Sequence, residues 1–101
     1  MKFLVIGRPR DGAPKLENPL EVSRAAQASI QKALKDGSFD CCYNLVSGGG
    51  VSISNAKSHE ELWENLRSYP LYTQLTWEVL PLVDIKYVFD KLVASAEKAK
   101  P

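Results

Sequence analysis

The chain has 101 residues, 45% of them hydrophobic and 25% charged, with 13 Lys and Arg against 12 Asp and Glu for a formal charge of +1. This is the make-up of one soluble globular domain (residues 1–101) whose core can form without crosslinks, and it excludes a disordered chain. The balanced charge argues against nucleic acid as partner, because phosphate binding gathers a basic excess on one face. No apolar stretch approaches the roughly 20 residues of a membrane span, so no membrane partner is expected. Arg8 and Arg10 follow the short run Phe3–Ile6 too closely for a signal peptide. Cys41 and Cys42 are adjacent and point to opposite faces of a strand, so they read as reduced thiols in a cytoplasmic setting.

Residues 2–7 are a continuous apolar run, which predicts a strand buried on both faces. Arg8 to Asn18 is turn-like, with Pro9, Gly12 and Pro14. Asn18-Pro19-Leu20-Glu21 combines an N-cap, a proline at the first helical position and an acid three residues after the cap. The helix it opens is expected to bury Val22, Ala26, Ile30, Ala33 and Leu34 and to stop at Asp36-Gly37. Residues 38–46 and 51–55 alternate apolar and polar about the turn Ser47-Gly48-Gly49-Gly50 and read as a hairpin. Ser58-His59-Glu60-Glu61 is a capping box, and its helix is expected to bury Leu62, Trp63 and Leu66 before ending at Tyr69-Pro70. Residues 74–83 predict a further strand. Asp84 caps a last helix with the stripe Ile85, Val88, Phe89, Leu92, Val93 and Ala96, and the polar tail from Glu97 to Pro101 is expected to fray.

The order β-α-β-β-α-β plus a C-terminal helix predicts an α+β, ferredoxin-like antiparallel sheet with two helices on one face. The other face and the apolar stripe of the last helix then need cover. The expected solution is a homo-oligomer, a dimer or larger ring; the alternative folds the last helix over the open face of its own sheet.

The segment Leu66 to Leu82, LRSYPLYTQLTWEVLPL, preceded by the Ser58/Glu61/Leu62 helix start, resembles the C-terminal half of the muconolactone isomerases. There a helix ends at a Pro-Leu pair, an aromatic residue follows, and a strand carries a Glu-Val step. The likeness runs from about Ser58 to Leu82; toward the N-terminus only the pattern of elements matches. It implies the dimeric α+β barrel fold, in which two ferredoxin-like sheets face each other, and assembly into larger rings. It also implies a proton shift that moves a double bond in a small carboxylated lactone, with no metal or organic cofactor.

Strand parity groups Phe39, Cys41, Tyr43, Leu45, Val51, Ile53, Leu75, Trp77 and Val79 on one face, and Cys42, Asn44, Ser52, Ser54, Thr76 and Glu78 on the other. A 1,3-proton shift needs one carboxylate poised near neutral pH and donors for the developing enolate. Glu78 is the candidate base, its pKa raised by burial. Asn44, Ser52 and Ser54 are the candidate donors, Arg8 the fork for a substrate carboxylate, and Trp77 with Tyr43 an apolar wall for a planar ligand. The same alternation also suits a half-exposed sheet face on which Glu78 is only a cross-strand polar residue, and a core role for the aromatics.

His59 stands just inside a helix cap and reads as an exposed first-turn residue; with no partner at ligand spacing it predicts no metal site. Gly48-Gly49-Gly50 joins strand to strand and lacks the helix N-terminus of a phosphate cradle. Three functions are compatible with this reading. The first is a cofactor-independent isomerase acting on a small unsaturated acid or lactone. The second is a non-catalytic ligand-binding or assembly domain of the same fold, and the third a cofactor-free oxygenase of the same superfamily.

Overall fold

The computed structural model describes residues 1–99. In chain order the elements are β1 (Lys2–Pro9), α1 (Pro19–Asp36), β2 (Phe39–Asn44), β3 (Gly50–Asn55), α2 (His59–Arg67), a 3-10 turn (Tyr72–Gln74), β4 (Leu75–Leu82) and α3 (Ile85–Ala99). The strands form one antiparallel sheet in the order β2-β3-β1-β4. The chain therefore adopts the expected ferredoxin-like order with an added C-terminal helix.

Local chemistry sets the boundaries. Pro19 occupies the first turn of α1, and Gly37 closes it in the left-handed conformation at φ 84°. The Ser58 hydroxyl accepts from the Glu61 N–H at 3.1 Å, and the Glu61 carboxylate accepts from the Lys57 N–H at 3.3 Å, one residue earlier than a regular capping box. Asp84 Oδ1 accepts from the Lys86 N–H at 2.9 Å where α3 starts. The hairpin turn presses against β1: Gly49 has φ 82°, and a Cβ there would lie 2.0 Å from the Gly7 carbonyl oxygen. No other residue fits that approach.

Phe3, Val5 and Ala56 form the buried core, with Leu62, Leu66 and Trp77 packed against it. Four expectations are corrected. β1 is buried on one face only: Phe3, Val5 and Gly7 are covered, whereas Leu4 and Ile6 are half-buried, because both helices lie on one side. Leu34 and Trp63 are 44% and 51% exposed. Each sits one position round its helix from a better-covered residue, Ala33 or Leu62, and the Arg67 guanidinium stacks 4.7 Å from the Trp63 ring centroid. α3 is helical to Ala99, so the helix takes in Glu97, Lys98 and Ala99 of the expected tail; Lys100 and Pro101 lie outside the described residues. No helix among the described residues is long and apolar enough to cross a membrane.

Candidate functional site

The ladder registers decide which side chains share a face. Phe3 pairs with Ser54 and Val5 with Ser52 across β1 and β3, Gly7 pairs with Trp77 across β1 and β4, and Cys42 pairs with Ser52 across β2 and β3. These residues alternate toward the core formed by Phe3, Val5 and Trp77, so they lie on the helix side. Leu4, Ile6, Arg8, Cys41, Ile53, Thr76 and Glu78 lie on the open side.

A cavity of about 590 Å³ lies between the helix side of the sheet and the helices α1 and α2. That is within the range of natural small-ligand sites. Its polar wall is the pair Ser52 and Ser54, 7% and 4% exposed, whose hydroxyls hydrogen-bond each other at 3.0 Å. Its apolar wall includes Leu66, Tyr69 and Trp77. Trp77 is held firmly: its Nε1–H donates to the Tyr72 carbonyl at 3.1 Å, Tyr72 stacks on it at 6.2 Å, and Tyr69 meets it edge-on at 6.1 Å. Gly7 makes room for this ring, since a Cβ there would stand 2.9 Å from Trp77 Cζ3.

Burial pushes the Cys42 thiol above its ordinary pKa, with the neighbouring Cys41 adding to the effect. Burial also raises the Tyr69 phenol, with Cys42 adding. Both groups are therefore protonated donors at neutral pH. The charged residues of the lining are Lys32 and Asp36, exposed on α1. Asp36 is held below the usual carboxylate range by its hydrogen bonds to Ser38, whose N–H it accepts at 2.8 Å. Among the described residues no three His, Cys, Asp or Glu side chains gather as a metal cluster.

The residues singled out in the sequence divide into two groups. Asn44, Ser52, Ser54 and Trp77 all line the cavity, Asn44 at an exposed position where its amide donates to the Leu45 carbonyl at 3.2 Å. Glu78 and Arg8 are on the opposite face, bonded to each other at 3.1 Å and half exposed. One ligand in the cavity cannot touch both groups, so the polar face expected to unite Glu78 with Ser52 and Ser54 does not exist. The physical reason is that β1 lies between β3 and β4, and its pairings set their relative phase. Phe39 also leaves the face of Cys41, because a bulge between them makes Asp40 the extra residue. Arg8 is engaged by Glu78 and is not turned toward the cavity. Tyr69 and Asp36 also line the cavity, although the sequence reading took them only as helix ends; a tyrosine before a helix-stopping proline carries no pocket signal of its own.

No protein-family model matches this chain, and no curated protein does. Solved structures do. The 5-chloro-2-hydroxyhydroquinone dehydrochlorinase of Burkholderia phenoliruptrix, in complex with 2,5-dihydroxybenzoquinone, is similar at TM-score 0.68 and 16% identity, over 86% of this chain and 98% of that one. Muconolactone isomerase is similar at TM-score 0.69 and 20% identity, over 83% of this chain and 90% of the other. The chain has a muconolactone isomerase-like fold, a ferredoxin-like α+β fold with a four-stranded antiparallel sheet.

Proposed function

We propose that the chain is a cofactor-independent small-molecule protein of the isomerase type, acting on a small unsaturated ring compound such as an acid or lactone held between the sheet and the helices. The observation that carries this reading is the cavity itself, with two buried hydroxyls on one wall and the fixed Trp77 ring on another. The hydroxyls offer a place for a ring oxygen as it gains charge during a proton shift, and the aromatic wall suits a planar ring. Two proteins of the same fold are named for chemistry on small ring compounds, which supports the reading. Incubating an unsaturated five-membered lactone with the protein in deuterated buffer tests it. Deuterium should enter the ring faster with protein than without, and more slowly with Ser54→Ala.

A second reading, ligand binding without catalysis, is favoured by one observation. The carboxylate in the cavity wall is Asp36, and its hydrogen bonds to Ser38 make it a weak base. A ligand that binds but shows no protein-dependent exchange decides for this reading.

We also propose that the working form is a homo-oligomer in the cytoplasm. Leu4, Ile6, Val51 and Ile53 leave the open sheet face half-covered. On α3, Ile85, Phe89, Leu92 and Val93 are all more than half exposed, and the chain extends over 68 Å. Exposed apolar side chains gathered on one helix and one sheet face are characteristic of an interface.

A further inference from the structure

We infer that the cavity selects an uncharged oxygenated ring, such as a lactone, ring ketone or phenol, over a carboxylate of the same shape, by seating the ring's oxygen on the Ser52–Ser54 hydroxyl pair. The inference rests on the cavity being the ligand site and narrows the chemical class it takes.

Three observations carry it. The first is the polar inventory of the buried wall. Ser52 and Ser54 are each more than nine-tenths buried and bond to each other at 3.0 Å. Two hydroxyls joined by one hydrogen bond use one of their two hydrogens, so the pair keeps a donor to give and lone pairs to accept with. That serves a carbonyl, ring ether or hydroxyl oxygen equally well. The second is the placement of charge. Lys32 and Asp36 are four residues apart on α1, both exposed and of opposite sign, so they leave no net charge in the lining. Arg8, the guanidinium best suited to a carboxylate, is on the other sheet face and bonded to Glu78. The third is the remaining wall, where Leu66, Tyr69, Trp77 and the neutral Asn65 carry no positive charge to offset an anion. Moving an ionised carboxylate from water into such a space, with neutral hydroxyls as its partners, is far less favourable than moving a neutral oxygen. The protonated states of Cys42 and Tyr69 are consistent with a lining that supplies hydrogen bonds without charge.

The test compares three probes of one ring size at pH 7: phenol, benzamide and benzoate. Benzamide and benzoate share a shape and differ in charge, so the comparison needs no variant that might unfold. Affinity is read by calorimetry and location by the indole N–H resonance of Trp77. Phenol and benzamide should shift that resonance and bind at least tenfold more tightly than benzoate. Ser54→Ala should weaken phenol by about two- to tenfold, the size of one neutral hydrogen bond, and leave benzoate unchanged. Benzoate binding as tightly as benzamide while shifting the Trp77 resonance would overturn the selection and leave the cavity as the ligand site. If none of the three probes shifts Trp77, the cavity reading itself fails and this inference falls with it.

Discussion

Arg8 and Glu78 meet across the β1–β4 ladder, Nη1 to Oε1 at 3.1 Å, on the sheet face that turns away from Ser52 and Ser54. Glu78 stands opposite Ile6, next along β4 from Trp77, and this one-residue step puts the carboxylate and the indole on different faces. The pair is half exposed in the single chain, where such ion pairs contribute about 0–1 kcal/mol.

Glu78→Gln should therefore leave the affinity for cavity ligands within about twofold of wild type and lower the stability by less than about 1 kcal/mol. Calorimetry and urea unfolding check both numbers. If Glu78→Gln instead abolished deuterium exchange into the lactone while the protein stayed folded, Glu78 would be the base and the open face would hold the chemistry.

Gly7→Ala tests the seating of the indole. The added Cβ would lie 2.9 Å from Trp77 Cζ3 and 3.1 Å from Leu75 Cδ1, so the ring must move. Overpacking of this kind costs about 1–3 kcal/mol. The near-ultraviolet circular dichroism of Trp77 should change, and ring ligands should bind more weakly. An unchanged spectrum with unchanged stability would show that the ring tolerates the methyl group.

The elements themselves could be read from the residues. Pro19 and Gly37, Ser58 and Glu61, and Asp84 each mark a boundary by local chemistry, which acts within a few residues and is visible in one dimension. The faces could not be read in the same way. Alternation along β4 says that Trp77 and Glu78 differ in side, but not which of them faces Ser52, because that depends on β1 lying between the two strands. The bulge at Asp40 is equally non-local. The Lys2 ammonium reaches both Asp40 and Asn55, and the Asn55 amide donates to Asp40 at 2.7 Å, so residues from three strands meet there. Asn44, Ser52 and Ser54 stand out by their chemistry and line the cavity; parity along the strands groups Glu78 with them and sets Trp77 on the opposite face, a phase the sheet does not have.

The Asp40 network should give the fold an acid-side pH dependence. The hydrogen bond from Lys2, then that from Asn55, holds the Asp40 carboxyl below the usual range. Asp36 is lowered likewise by Ser38. A carboxyl whose folded pKa lies below its unfolded value, about 3.9, contributes stability that is present above that value and lost as pH falls through the folded one. The urea midpoint should thus fall as pH drops from about 5 toward 2, and less steeply in Asp40→Asn. Identical slopes in the two proteins would remove Asp40 from this account.

The proposed assembly can be separated from the fold. Removing residues 85–101 deletes the exposed stripe of α3, none of whose residues is buried against the rest of the chain. The truncated protein should keep its sheet signature in circular dichroism and show fewer subunits per particle by light scattering than the full chain. A full chain that is monomeric at micromolar concentration would contradict the homo-oligomer.

The most direct test of the central claim is where a ring ligand touches the protein. An unsaturated five-membered lactone titrated into isotopically labelled protein should shift the amide resonances of Val5, Cys42, Ser52, Ser54 and Leu66 and the indole of Trp77, all of which line the cavity. Shifts confined to Leu4, Ile6, Arg8, Thr76 and Glu78 would place the ligand on the open sheet face and contradict the account.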